Sequence, residues 1–164
     1  MNLDSIPIEL RNERPEHQGS IWHVNAQAFG QPNEADLVDA LRDNGDLFAS
    51  SVVLVEGEVV GHAALSIGSI GRGSLLVLAP VAVLPQHQKR GYGRAVVDHV
   101  LEAAGGSPVS VLGDPAFYGR FGFEAAERFG VTPPFAVDPG AFQLLRPESV
   151  PTGVIKYAAP FLDL

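Results

Sequence analysis

Cysteine is absent from the 164 residues, which removes disulfides, thiolate metal ligands and a cysteine nucleophile from consideration. A chain without thiols suits a reducing cytosol. No run approaches the ~20 apolar residues that span a bilayer. Residues 1–9 show neither the basic start nor the apolar stretch of a signal peptide, so the expectation is a cytoplasmic protein with no membrane partner. Positive charge is scarce: 11 Lys and Arg stand against 19 Asp and Glu, a formal charge of −8. Nucleic-acid binding rests on neutralising phosphates, so no nucleic-acid partner is expected. The acidic balance serves solubility and favours the approach of a cationic amine. Charged residues are few, 18% against 46% apolar, which argues against disorder. The length suits one domain, 1–164, with a substantial core. His87 and His99 have no partner at metal-ligand spacing, and no metal is expected.

What is present is organised around residues 75–104. Residues 75–84 carry almost no polar side chain, and a polar, basic turn follows: Pro85, Gln86, His87, Gln88, Lys89, Arg90. Gly91, Tyr92, Gly93 and Arg94 then open a segment in which Val96, Val97, Val100, Leu101 and Ala104 share one helical face, the spacing of an amphipathic helix packed on a sheet. The pattern reads strand, loop, helix. A helix leaves its first N–H groups unpaired and carries partial positive charge there, so this junction suits phosphate oxygens. Gly91 and Gly93 remove the Cβ atoms that would hold a ligand off those amides. Lys89, Arg90 and Arg94 add full charges, and a basic cluster in an acidic chain points to phosphate contact rather than to a solvated face.

Other phosphate cradles fit less well. The Gly-Lys-Ser/Thr of a P-loop is missing, and Val96 stands where a dinucleotide fingerprint needs its third glycine. Asp114 does fall near the ~20-residue offset of a ribose-binding acid, which keeps an NAD-dependent dehydrogenase as a minor alternative. Pro80 cannot donate to a ladder and belongs at a bulge or where neighbouring strands part. A parted strand offers free amides to an extended ligand.

Around this stretch, Ile6, Ile8 and Leu10 alternate as in a half-buried first strand. Residues 15–29 read as a helix stopped by Gly30, and Asn33 as the cap of a second helix with Leu37, Val38 and Leu41 on its apolar stripe, closed by Asn44-Gly45. Residues 47–55 and 59–67 form a hairpin about Glu56-Gly57-Glu58. Gly105-Gly106 ends the later helix, and residues 109–112 make a short apolar strand parallel to the central one. Pro115 after Asp114 fits a short helix with an Asp cap. Residues 132–135 and 138–140 read as a loop.

The run Gln88-Lys89-Arg90-Gly91-Tyr92-Gly93 fits the motif Q/R-x-x-G-x-G/A, and Val81-Ala82-Val83-Leu84-Pro85 fits the strand end before it. Residues 113–123, with Tyr118 on a short helix and Gly122-Phe123 leading into a strand, match a closing signature, and 141–145 with 154–157 match two late strands. In these features the chain resembles the GNAT superfamily of acetyl-CoA-dependent N-acetyltransferases, most closely its YhbS-like branch, over residues 1–160. The resemblance implies an α/β (α+β) fold. Its central sheet is mixed but mostly antiparallel, with about six or seven strands, flanked by about four helices, and a parallel pair splays at the acetyl-CoA cleft. It implies acetyl transfer to a primary amine of a small molecule or an exposed amino group of a protein, with acetyl-CoA as cosubstrate, and it leaves room for a homodimer.

On the resemblance, the main-chain groups of Val81, Ala82 and Val83 meet the pantetheine arm, residues Gln88 to Arg94 hold the diphosphate, and Asp114 and Phe117 are further coenzyme contacts. Asp114 also suits a capping role. Tyr118 is the expected acid for the departing thiolate. Many relatives place a glutamate on the central strand, but residues 74–84 contain no acid. His62 on the preceding strand is then the candidate base, directly or through water. The missing glutamate also permits a different class of function, a non-catalytic acyl-CoA-binding regulatory module. Acceptor choice is expected to lie in the early helices, the turn at 68–73 and the late loop.

Overall fold

The computed structural model describes residues 7–163. Strand β1 (Ile8–Asn12) leads through a tight turn at Pro15–His17 into helices α1 (Gln18–Phe29) and α2 (Asn33–Asp43). Strands β2 (Leu47–Val55), β3 (Glu58–Ile70) and β4 (Gly73–Val83) follow, then α3 (Tyr92–Ala104), β5 (Val109–Leu112) and the short helix α4 (Pro115–Tyr118). The remainder holds β6 (Glu124–Ala125), β7 (Val131–Thr132), β8 (Phe142–Leu145), β9 (Gly153–Val154) and β10 (Lys156–Tyr157). Ile6, expected in the first strand, lies outside the described residues. Among those described, no helix is long and apolar enough to cross a membrane.

The main sheet has eight strands, ordered β1-β2-β3-β4-β5-β8-β6 with β10 beside β3, and β7 and β9 form a separate parallel pair. Every pairing in the main sheet is antiparallel except β4 with β5. This is the mixed, mostly antiparallel architecture that the sequence implied, enlarged by the two-residue strands of the late segment. Residues 154–157, expected as one strand, divide at Ile155. That side chain is 1% exposed, and the chain bends there so that Val154 pairs with Thr132 and Lys156 with Ser69.

Local sequence accounts for the elements. Glu56 and Gly57 both take positive φ, 52° and 82°, the type I′ geometry that suits strand twist, and Val55 pairs directly with Glu58. Gly30 ends α1 in the left-handed conformation at φ 68°. In α2 the expected cap moves by one position: Asn33 is the first helical residue, and Pro32 precedes it without a side-chain bond. Helix α3 buries Val96, Val97, Val100 and Ala104, the face its spacing assigns.

Strand β4 is buried on both faces, which explains its unbroken apolar run. Leu76 and Leu78 join a core with Ile21 and Val24 of α1 and Val96 of α3, while Leu75 and Val77 join a second core with Phe142, Leu144 and Ile155.

Candidate active site

Strands β4 and β5 pair only at Leu76 with Val109, Val77 with Ser110 and Leu78 with Val111. Beyond that point β4 continues while β5 ends at Leu112, so a gap opens along residues 79–83. On the other side of β4, Leu78 pairs with Leu65 and Val81 with Ala63, so Ala79 and Pro80 together oppose Ala64 in a bulge. The extra residue exchanges the two sides of the strand. Before the bulge the even-numbered Leu76 donates its N–H towards β5, to Pro108 O at 2.9 Å; after it the even-numbered Leu84 donates towards β3, to Val60 O at 2.9 Å. Strand alternation then turns the N–H groups of Val81 and Val83 to the open gap. Ala82, expected to share that role, turns its N–H to β3 instead, because it lies between them. Gln88 reaches back along the open edge, its Nε2 donating to Val83 O at 3.1 Å.

The gap runs on to the start of α3. The first bond there joins Ala95 N–H to Gly91 O at 3.1 Å, and the N–H groups of Tyr92, Gly93 and Arg94 have no main-chain acceptor among the described residues. Gly91 caps the helix at φ 85°, a conformation that disfavours any side chain. Gly93 has no such constraint, and a Cβ there would meet only Val83 and Phe117, at 3.6 and 3.8 Å, ordinary contact distances. Packing and backbone therefore tolerate alanine at Gly93. What a Cβ would occupy is the space before the free amides, between Val83 of β4 and Phe117 of α4. Lys89, Arg90 and Arg94 are exposed around it, while the Tyr92 ring is buried and contributes to this site through its main chain only.

Helix α4 borders the gap. Asp114 caps it, accepting from Ala116 N at 2.9 Å, and faces a separate hollow with residues 136–139. Phe117 packs on the core, and its ring tip lies 3.8 Å from where a Cβ on Gly93 would stand, which places α4 beside the start of α3. The Tyr118 ring meets Phe117 edge-on at 4.8 Å and Phe123 at 5.9 Å. Burial pushes its phenol up to about 12. Gly113 makes room for it: a Cβ there would lie 2.5 Å from Tyr118 Cε2.

Tyr118, Pro80 and Val81 share one cavity of about 540 Å³. Its lining also includes Phe29 of α1, Glu34 and Leu37 of α2, Phe135 of the late loop, and Tyr157 and Phe161. The early helices and the late loop thus line the same cavity as Pro80 and Val81, whereas the 68–73 turn contributes no lining residue. Among the described residues no acidic and histidine side chains group as a metal site would require.

His62 is not brought to this cavity. It is fully buried, with Asn25 Nδ2 donating to its Nδ1 at 3.1 Å and Ser50 Oγ 2.8 Å from its Nε2. Ser50 Oγ in turn donates to Glu13 Oε1 at 2.8 Å, and Glu13 pairs with Arg42 at 2.7 Å. Burial lowers the imidazole to about 4, with Arg42 adding to the effect and the Glu13 charge opposing it. Both ring nitrogens are engaged in a polar chain, which leaves neither free to take a proton from a substrate in the gap.

A family model described as an acetyltransferase (GNAT) domain matches residues 46–125. The uncharacterized N-acetyltransferase YhbS of Escherichia coli K12 is 33% identical over 143 residues, covering 84% of this chain and 86% of YhbS. The chain belongs to the GNAT family of acetyltransferases. The crystal structure of Escherichia coli YhbS in complex with CoA matches at a TM-score of 0.88 and 30% identity, covering 96% of this chain and 93% of that one. A GNAT family acetyltransferase from Brucella melitensis in complex with acetyl-CoA matches at 0.80 and 32% identity, covering 95% and 99%.

In this GNAT protein the cavity also has polar members that sequence reasoning did not assign to a site. Glu34 reads in the sequence only as a favourable charge in the first turn of a helix. Ser110 reads as part of an apolar strand, yet it lines the cavity with a buried Oγ that has no hydrogen-bond partner. Phe135, between prolines and a loop, carries no periodic signal at all.

Proposed function

We propose that this chain binds acetyl-CoA along the open edge of β4 and transfers the acetyl group to a primary amine in a ternary complex. The observation that supports this most is the alignment of the Val81 and Val83 amides with the unpaired amides at the start of α3. Together they form a continuous track of donors from a strand gap to a phosphate cradle. The thioester supplies an activated acyl group: the amine nitrogen bonds to its carbonyl carbon, the C–S bond breaks with its electron pair on sulfur, and one amine proton is lost as one is gained by sulfur. Val81 N–H faces the place where negative charge develops on the acyl oxygen. Tyr118 O–H donates to the sulfur. Its proton is restored by the one the nitrogen releases through solvent, since no carboxylate stands on β4 and His62 is sealed in the core. The absence of cysteine fits reducing conditions, and we place the reaction in the cytoplasm.

Calorimetric titration with acetyl-CoA and with NAD tests the reading. Acetyl-CoA is expected to bind and NAD not, and the double change Arg90→Glu with Arg94→Glu should weaken acetyl-CoA about 100-fold, since each residue contributes a charged contact to phosphate. Affinity untouched by that double reversal sinks the cradle. Tight binding with no free CoA released from any amine favours a binding module instead. Gly113→Ala is a sharper probe of Tyr118. The added methyl must displace the ring, so turnover should fall at least ~10-fold with acetyl-CoA affinity kept, because small misplacement of a catalytic group is costly.

A further inference from the structure

The cavity beside the gap carries information about the acceptor. Its volume of about 540 Å³ lies in the range of small-ligand sites. Phe135 lies over Tyr157 with ring centres 5.9 Å apart and planes at 17°, and Tyr157 leans on Phe161 at 5.1 Å. Large apolar side chains that the fold leaves open to solvent collect here: Phe29 at 42%, Phe135 at 47% and Leu112 at 48% exposure all border this one space. A contiguous apolar rim around a concavity marks a ligand site.

Charge in the lining is one-sided. Among the described residues Glu34 is the one acidic side chain there, and no lysine, arginine or histidine joins it. It stands in the first turn of α2, and Gln31 Nε2 donates to both its carboxyl oxygens at 2.7 and 3.1 Å. The buried Ser110 Oγ adds one unpaired polar group.

Building on the acetyl-transfer reading, we propose that the acceptor is a primary amine on a single aromatic ring or a similarly compact apolar body. The ring packs among Phe29, Phe135 and Tyr157, and Glu34 captures the ammonium. The nitrogen gives up one proton to solvent before its lone pair forms the N–C bond, and the products are an N-acetyl amide and free CoA thiol. A polyamine brings further cations that the lone carboxylate leaves unmatched, and an amino sugar brings hydroxyls that this lining leaves unpaired.

The test is free-thiol release with 2-phenylethylamine, spermidine, glucosamine and a tripeptide bearing a free amino terminus, alongside acetyl-CoA calorimetry. We expect kcat/KM for 2-phenylethylamine to exceed the others at least ~10-fold. Glu34→Gln should raise its KM about tenfold, the loss of one charged contact, while leaving the acetyl-CoA Kd unchanged. Phe135→Ala should raise KM in the same direction. Preference for spermidine, glucosamine or the tripeptide overturns the proposal while leaving acetyl transfer intact. An unmoved KM in Glu34→Gln overturns it as well, as does acetyl-CoA binding without turnover of 2-phenylethylamine. If acetyl-CoA itself does not bind, the acetyl-transfer reading fails and this proposal fails with it.

Discussion

Tyr118→Phe is expected to lower kcat by about 10²- to 10³-fold while leaving the acetyl-CoA Kd within about twofold of the parent, the range for losing a positioned acid. The phenylalanine keeps the edge-on contacts with Phe117 and Phe123, so only the hydroxyl is tested. Burial holds the phenol near 12, well above a thiol near 8.5. Handing its proton outright to a free thiolate would therefore be uphill by about 5 kcal/mol, at ~1.4 kcal/mol per pKa unit. In the proposed reaction Tyr118 is therefore a donor that stays bonded to the sulfur as charge develops, with the nitrogen's proton replacing its own. One consequence is measurable in the parent enzyme. Activity should rise with pH as the amine loses its proton and show no fall from tyrosine ionisation up to about pH 10, because the phenol remains protonated throughout. A descending limb near pH 8 that vanishes in Tyr118→Phe would contradict this assignment, and so would a variant with unchanged kcat.

The parts of the site that were legible in the sequence are those in which a local backbone requirement selects the residue. Gly91 is needed for a positive φ, Pro80 for a position without a ladder bond, and Asp114-Pro115 for a helix start, and each stands where its chemistry dictates. Burial on both faces of β4 likewise shows as an unbroken apolar run. Side-chain partnership across long sequence distances left no such mark. The exchange of strand sides at the bulge depends on Ala64 in β3 as much as on Pro80, so the turning of Ala82 away from the gap could not be read from β4 alone. Glu34 and Phe135 meet only because α2 and the late loop converge on one cavity. The division of residues 154–157 is decided by a core that Ile155 enters from a distant part of the chain. His62 was the clearest case: an imidazole one strand away from the reacting centre suggests a base until its neighbours are known.

Those neighbours give His62 a different expected role, and a large one. Asn25 Nδ2 donates to its Nδ1, so the ring must be neutral with its hydrogen on Nε2, where it donates to Ser50 Oγ; Ser50 passes a hydrogen bond on to Glu13. The chain joins α1, β3 and β2 to the segment before α1, and Arg42 extends it to α2. His62→Leu would leave one Asn25 N–H and the Ser50 oxygen without a partner in the core, although Asn25 still donates to Ile21 O and Ser50 to Glu13, at a cost of about 3 kcal/mol for the two groups. For a chain of this length that lowers Tm by about 10 °C. The same histidine predicts how stability responds to acid. Its folded value near 4 lies below the unfolded 6.5. Above pH 6.5 both states are neutral and the full stability is present; between about 6.5 and 4 the unfolded chain holds a proton that the folded one does not, and stability falls as pH drops. The total loss from this group is about 3 kcal/mol, and below about pH 4 it levels off. Glu13 acts in the same direction at lower pH. Burial alone would raise its carboxyl, but hydrogen bonds from Arg42 and Ser50 and the Arg42 charge outweigh that and hold it below its ordinary value, so it too loses stability on protonation. Urea unfolding at several pH values, in the parent and in His62→Gln, separates the two groups. The variant should be less stable at pH 7 and should show a markedly shallower decline from 6.5 to 4; equal slopes in the two proteins would mean that the imidazole is not held neutral by this chain of bonds.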